Sequence, residues 1–230
     1  LTPRQREHLD TLMRELQDRT PESKRRTQAS RHVLSDPRTV QGFRSLWKEI
    51  VYPIVSDRAS GSRIWDVDGN EYIDLVNGYG ATFFGHTPEF IIAAVEQQIR
   101  KTVAIGPQTP LAAKVAQQVC EITGTERAAL CNTGSEAVLA AIRMARTVTG
   151  KRRLACFAGH YHGIFDEVLV KGVNVRGKRR SVPIAPGIPT EACESVIVMD
   201  YGDMKSLDTI RAHKDEIALV MMEPVRSREP

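Results

Sequence analysis

The chain has 230 residues, 41% of them hydrophobic, with a net charge of +4. That length and apolar content suit one or two ordinary globular domains with a sizeable core, and the charge is too mild to imply nucleic-acid binding by itself. Four widely spaced cysteines, Cys120, Cys131, Cys156 and Cys193, form no CxxC pair. Three of them lie in apolar runs, so reduced core thiols are the expectation. No signal peptide or membrane-length apolar run is visible, which points to the cytoplasm.

Residues 2–28 are rich in charge and glutamine. Leu9, Leu12, Met13 and Leu16 form one apolar stripe, and Thr2-Pro3 supplies a start signal, so the spacing predicts one amphipathic linker helix within 1–30. Lys24-Arg25-Arg26 reads as a solvated face. Further on, Asp68-Gly69-Asn70 lies between two strand-like runs and predicts a hairpin turn. Asn77-Gly-Tyr-Gly80 and Phe84-Gly-His86 form a glycine-rich aromatic loop. Thr87 then predicts a helix cap with Pro88 at the first helical position, and Phe90, Ile91, Ala94, Val95 and Ile99 predict the buried side. Residues 102–109 read as a crossing between domains. Thr109-Pro110 repeats the start signal for a helix with Leu111, Ala112, Val115, Ala116, Val119 and Ile122 in its stripe and Gly124 at its end.

Residues 127–131 suit a short buried strand, and 132–137 a tight turn. Ala137, Val138, Ala141, Met144, Ala145 and Val148 recur at helical spacing as far as Gly150. A second apolar run at 153–157 completes a strand–turn–helix–strand unit, the building block of a parallel sheet. The turn carries the chemistry. A helix N-terminus offers unpaired N–H groups and a dipole that favours anions. Gly134 allows close approach, and the hydroxyls of Thr133 and Ser135 add donors, so a phosphate cup and an ordinary capped helix are both open readings. The turn lacks the glycine spacing and lysine of a nucleotide P-loop and the GxGxxG of a dinucleotide fold.

Gly159-His-Tyr-His-Gly163 leaves the carboxyl end of the next strand, where open α/β sheets bind ligands. His160 and His162 with Asp166 and Glu167 lack the spacing of a metal site. Lys171, Arg176, Lys178, Arg179 and Arg180, followed by Pro183, Pro186 and Pro189, predict a solvated loop; a phosphate-rich partner or carrier arm is the alternative. Residues 195–199 predict a buried strand. Asp203 predicts a cap on a helix with Met204, Leu207 and Ile210 inside. Residues 217–222 predict a third strand ending at Glu223, a carboxylate facing either the site or solvent.

Asn132-Thr-Gly-Ser-Glu-Ala137 followed by Gly159-His-Tyr-His-Gly163 resembles the class III pyridoxal-phosphate aminotransferases, in the branch near glutamate-1-semialdehyde aminomutase. The resemblance covers about residues 31–230. It implies an α/β chain of the fold-type I transferases, incomplete: part of the small domain at 31–105 and the first part of the large, mostly parallel-sheet domain at 106–230. It implies pyridoxal 5'-phosphate as cofactor, bound by Thr133, Gly134 and Ser135 at its phosphate, by Tyr161 stacked on the ring with His162 beside it, and by Glu223 at the strand end. Tyr79 takes the place of an aromatic that walls the substrate pocket. Ser35 and Arg38, across a one-residue gap, resemble polar residues of the substrate side. No metal is implied.

In the family the covalent lysine follows a strand beyond Glu-Pro-Val. It is therefore expected beyond Pro230, no catalytic residue is assigned within the chain, and the 230-residue polypeptide alone is expected not to transaminate. Arg31-His-Val-Leu-Ser-Asp-Pro-Arg38, Tyr52-Pro-Ile-Val55 and the leading helix are similar to aminotransferase domains embedded in hybrid polyketide and nonribosomal peptide synthases. That likeness implies a small-molecule amino donor, a β-ketoacyl acceptor on an acyl carrier protein domain, and a homodimer when full length, with no nucleic acid or membrane partner. A glutamate-1-semialdehyde aminomutase-type enzyme is the alternative. A non-catalytic carrier-docking module and a nucleic-acid-binding α/β module are alternatives of another class.

Overall fold

A threonine followed by proline opens three of the helices. Proline has no N–H to lose in the first turn, and its fixed φ suits the helix. The computed structural model describes residues 1–36, 43–103 and 109–227 and divides into two units, Leu1–Gly106 and Pro107–Pro230.

In the first unit, α1 spans Pro3–Arg19. Thr2 and Gln5 form a reciprocal capping box, in which Gln5 N–H donates to Thr2 Oγ1 at 3.3 Å and Thr2 N–H to Gln5 Oε1 at 2.9 Å. The expected single helix is in fact two, because Pro21 ends the ladder and starts α2, Pro21–Ser30. Thr20 does not cap α2 with its side chain. Asp68 does so from far along the chain, accepting from Glu22 N–H at 2.6 Å, Ser23 N–H at 2.9 Å and Ser23 Oγ at 2.7 Å.

Asp68 sits in the turn of an antiparallel sheet ordered β1 (Ser56–Ser60), β2 (Arg63–Asp66) and β3 (Glu71–Ile73). The expected hairpin forms around Gly69, whose φ of +85° needs glycine. The buried Asp66 carboxylate ties it together, accepting from Asp68 N–H, Asn70 N–H and Tyr72 Oη at 3.0, 2.8 and 2.7 Å. α3 follows at Glu89–Lys101. Thr87 is not its cap: it takes a left-handed φ of +50°, and its hydroxyl donates to the Ala59 carbonyl. The expected buried side, including Phe90, Val95 and Ile99, is exposed.

In the second unit, Thr109 caps α4 (Pro110–Thr123) by accepting from Leu111 N–H, and Gly124 ends it in the left-handed region. Its stripe residues Leu111, Val115, Val119 and Ile122 are also exposed. Helical spacing reports an amphipathic face but not what covers it. α5 spans Gly134–Thr149 and ends at left-handed Gly150. Its inner face is Val138, Ile142 and Ala145; Met144 and Val148 of the expected stripe point outward.

β4 (Arg153–Phe157), the antiparallel hairpin β5 (Val170–Val175) and β6 (Lys178–Pro183), the short α6 (Thr190–Glu194), β7 (Val196–Met199), α7 (Lys205–Ala212) and β8 (Ile217–Val220) complete the unit. The hairpin replaces the expected solvated loop. Arg176 and Gly177 both take positive φ at its tip, the conformation of a two-residue hairpin turn. Arg179 lies across Gly172, where a Cβ would come within 2.7 Å of the guanidinium, and pairs with Asp200. At α7, Asp203 accepts from Lys205 N–H, while Met204 and Leu207 remain exposed.

β7, β4 and β8 lie side by side in that order, all parallel. Alternation puts Leu154 and Cys156 with Val196 and Val198 on one face, against Ile142 of α5. Ala155, Met199 and Ile217 fill the other face, with Ile210 of α7 against them. The expected strand at 127–131 is absent. β4 has neighbours on both sides, so that segment would need an outer sheet edge, and no described strand pairs with it. The first strand of the expected strand–turn–helix–strand unit is therefore missing, whereas its helix and second strand form.

Candidate active site

The parallel sheet delivers the ends of β4, β7 and β8 to the same edge. The loop after β4 touches the first turn of α5 there. Ile164 N–H donates to Ser135 Oγ at 3.2 Å. Gly163, at φ +121°, approaches so closely that a Cβ would lie 2.8 Å from Ser135 Oγ. Any other residue at 163 would push the two turns apart.

Thr133 does what an ordinary cap does. Its Oγ1 accepts from Glu136 N–H at 3.2 Å, and the Glu136 carboxylate accepts from Asn132 and Thr133 N–H at 2.9 and 3.1 Å. The same geometry leaves the N–H groups of Gly134 and Ser135 without an acceptor among the described residues. Ser135 Oγ accepts from Ile164 and retains its own proton to donate. A Cβ on Gly134 would meet nothing within 4 Å, so the turn is open on the side where that side chain would stand. Cap and anion cup are thus one structure: Thr133 and Glu136 fix the turn, and Gly134 and Ser135 present its donors.

On the other side of Gly163, Tyr161 is half exposed. Its N–H donates to Glu223 Oε2 at 3.2 Å, and Glu223 N–H donates to His160 Nδ1 at 2.9 Å. The His160 ring lies 5.5 Å from Phe157 and 4.8 Å from Tyr201, whose hydroxyl donates to the Pro224 carbonyl at 3.3 Å. Nε2 of His160 and of His162 are buried without a hydrogen-bond partner among the described residues. Burial, with the neighbouring His160 adding to it and Glu223 opposing it, pushes His162 below its ordinary pKa and favours the neutral ring. Partial burial resists ionisation of Glu223, but hydrogen bonds from Ser227 and Tyr161 prevail and hold its pKa below the usual carboxylate value.

Thr133, Gly134, Ser135, Tyr161, His162 and Glu223 therefore gather in one place. Ser35 and Tyr79, the expected substrate residues, belong to the first unit; both are exposed, Tyr79 at 98% with a left-handed φ of +55°. Arg38 lies outside the described residues. His160, Gly163 and Tyr201 hold the site together without having been singled out as site residues. The Gly-X-Tyr-X-Gly pattern is the one local signal that could have marked Gly163.

The fold is that of the fold-type I pyridoxal-phosphate-dependent transferases. The chain aligns with an omega-transaminase from Sphaerobacter thermophilus at 30% identity and a TM-score of 0.77, over 87% of this chain and 46% of that one. It aligns with a transaminase described as having PLP bound at 28% identity and a TM-score of 0.79, over 91% and 48%. A glutamate-1-semialdehyde aminomutase from Pseudomonas aeruginosa, at 22% identity and a TM-score of 0.81 over 99% and 49%, shares the fold.

Residues 47–229 match the class-III aminotransferase family, and the chain belongs to it. The glutamate-1-semialdehyde 2,1-aminomutase of Persephonella marina is 38% identical over 189 residues, which are 81% of this chain and 43% of that protein. The enzyme of the same name from Aquifex aeolicus is 36% identical over 178 residues, 75% and 41%. The chain thus spans about two-fifths of the length of the curated relatives it matches.

Proposed function

We propose that this chain supplies the cofactor-gripping part of a class III aminotransferase that moves an amino group from an amino-acid donor to a ketone. The observation that carries the reading is the contact of Ser135 with Gly163 and Ile164, which sets an open anion cup beside an exposed tyrosine. The residues fit pyridoxal phosphate. The N–H groups of Gly134 and Ser135 and the Ser135 hydroxyl would hold its phosphate, and Tyr161 offers a flat ring face, with neutral His162 next to it in the chain. When bound, pyridoxal phosphate supplies an electron sink for proton transfer at the carbon that carries the amino group. The chain's part is to bind and orient. The helix N-terminus would hold the dianion, Gly163 keeps the two turns in contact, and Tyr161 would lie against one ring face.

Lys151 donates to the Lys214 carbonyl, ahead of the first residue of β4, and Lys171 and Lys178 are exposed on the hairpin. None of the three is the covalent lysine in this reading, and the 230-residue chain does not transaminate by itself. Residues 31–105 belong to the small domain and 106–230 to the large one. The enzyme works as a homodimer in the cytoplasm. Among the described residues no helix is long and apolar enough to cross a membrane.

The acceptor we favour is a β-ketoacyl chain on an acyl carrier protein, on the strength of the amino-terminal likeness to synthase-embedded domains. A second reading, an aminomutase acting on a small semialdehyde, is supported by the names of the curated relatives. Tyr161→Ala tests the common core of both. It is expected to weaken binding of pyridoxal phosphate to the chain about tenfold, given the usual worth of an aromatic contact; unchanged affinity sinks the stacking role. Supplying the complete enzyme with a carrier-bound β-ketoacyl chain or with glutamate 1-semialdehyde separates the two acceptors.

A further inference from the structure

We propose that Glu223 is a positioning residue: its carboxylate locks the backbone of Tyr161, and so the pose of that ring, without touching the cofactor. The proposal rests on the reading that Tyr161 meets the cofactor ring. A carboxylate at the end of a parallel strand invites a ligand-facing role, but here Glu223 Oε2 is already engaged. It accepts from Tyr161 N–H at 3.2 Å and from Ser227 N–H at 3.4 Å. The backbone N–H of the same residue donates to His160 Nδ1 at 2.9 Å. Side chain and main chain of one residue therefore grip two consecutive residues of the loop after β4.

The grip is anchored on all three strands. His160 is wedged against Phe157 at the end of β4 and against Tyr201 beyond β7, and Tyr201 reaches Pro224 beyond β8. The bond to His160 Nδ1 requires the tautomer with its proton on Nε2. At its other end the loop is fixed by Ile164 N–H on Ser135 Oγ and by the contact of Gly163 with Ser135. Tyr161 lies between these two fixed points. Its phenol makes no hydrogen bond among the described residues, so nothing polar at the ring itself sets its direction. The backbone sets it, and Glu223 holds the backbone. An ionised carboxylate accepting an amide N–H makes a stronger bond than a neutral acceptor does, which gives the negative charge a purpose other than pairing with the cofactor.

Backbone hydrogen exchange at Tyr161, measured in the 230-residue chain without cofactor, tests this directly, with the Leu154 amide of β4 as the control for folding. Glu223→Ala is expected to speed exchange at Tyr161 about tenfold and Glu223→Gln about threefold, in keeping with loss of a charged and retention of a neutral acceptor. Exchange at Leu154 should stay unchanged. Affinity for pyridoxal phosphate should fall in the same order. If Glu223→Ala does not fold, the threefold change in Glu223→Gln decides alone. Unchanged exchange at Tyr161 overturns the proposal. So does a loss of cofactor affinity with no change in exchange, because that marks a direct contact. Faster exchange at Tyr161 in a chain whose wild type binds no pyridoxal phosphate supports the latch and overturns the cofactor reading instead.

Discussion

The two units are held together by opposite means. Among the described residues, the buried apolar ones, Ile142, Leu154 and Val198 among them, all belong to the second unit. The buried residues of the first unit are Thr20, Ser23 and Asp66, all polar. One unit is a parallel sheet with apolar side chains on both faces. The other includes a β2–β3 turn closed on the Asp66 carboxylate and tied to the first turn of α2 by Asp68. The difference teaches where each kind of order comes from. Apolar burial is non-directional and tolerates exchange of similar shapes. A buried carboxylate with several donors fixes a single arrangement and leaves unsatisfied groups when it is removed.

Substitutions in the two units should therefore fail differently. Leu154→Ala empties a fully buried site at the centre of the sheet and is expected to cost about 2–5 kcal/mol. Urea unfolding should show the loss, and hydrogen exchange should confine it to the second unit. Asp66→Ala leaves Tyr72 Oη and the Asp68 and Asn70 N–H groups without their acceptor, at a cost of about 1–3 kcal/mol. Faster exchange at Asn70 with an undisturbed second unit is the expected result. Asp68→Ala removes the cap on α2 and should cost about 1 kcal/mol, seen as lost protection at Glu22 and Ser23.

A pH scan sharpens the contrast further. Burial opposes the charge on Asp66, but hydrogen bonds from Tyr72, Asn70 and Asp68 win and hold its pKa below the ordinary 3.8. Burial and the bond to Asp66 push Tyr72 up from 10.0 to about 12. A lowered carboxylate stabilises the fold above its unfolded pKa, and that contribution disappears as pH falls through the folded value. A raised phenol stabilises below its unfolded pKa, and its contribution is lost as pH climbs from 10.0 to about 12. The first unit should lose stability at both ends, and Tyr72→Phe should remove this alkaline loss. The smallest effect is chemical. Exposed Cys131 should react readily with a thiol reagent, whereas Cys156, buried and pushed up to about 12, should react last.

The same contrast explains what the amino-acid sequence made legible. The cup at 133–135 and the turn at 159–163 could be found because their chemistry is local: a cap, two glycines and a tyrosine in short spacing. Helix starts at Thr2 and Thr109 were legible for the same reason. The cap on α2 was not, because Asp68 arrives from a hairpin more than forty residues away. The hairpin of β5 and β6 was hidden because its lysines and arginines mask the valines between them. The segment at 127–131 has strand composition, but strand formation needs a partner that no local pattern announces. The stripes of α3 and α4 were correctly helical yet are not buried. Glu223 was visible as a strand-end acid, whereas its bonds to Tyr161 and Ser227 depend on the tertiary meeting of two loops.

The central claim is that the first turn of α5 and the loop after β4 jointly hold a phosphate-bearing aromatic ring. The most direct measurement compares the affinity of the chain for pyridoxal 5'-phosphate with its affinity for pyridoxal, which has the ring and no phosphate. A cup built of two helix N–H groups and the Ser135 hydroxyl predicts that the phosphate form binds at least about tenfold more tightly. Equal affinities would contradict the account.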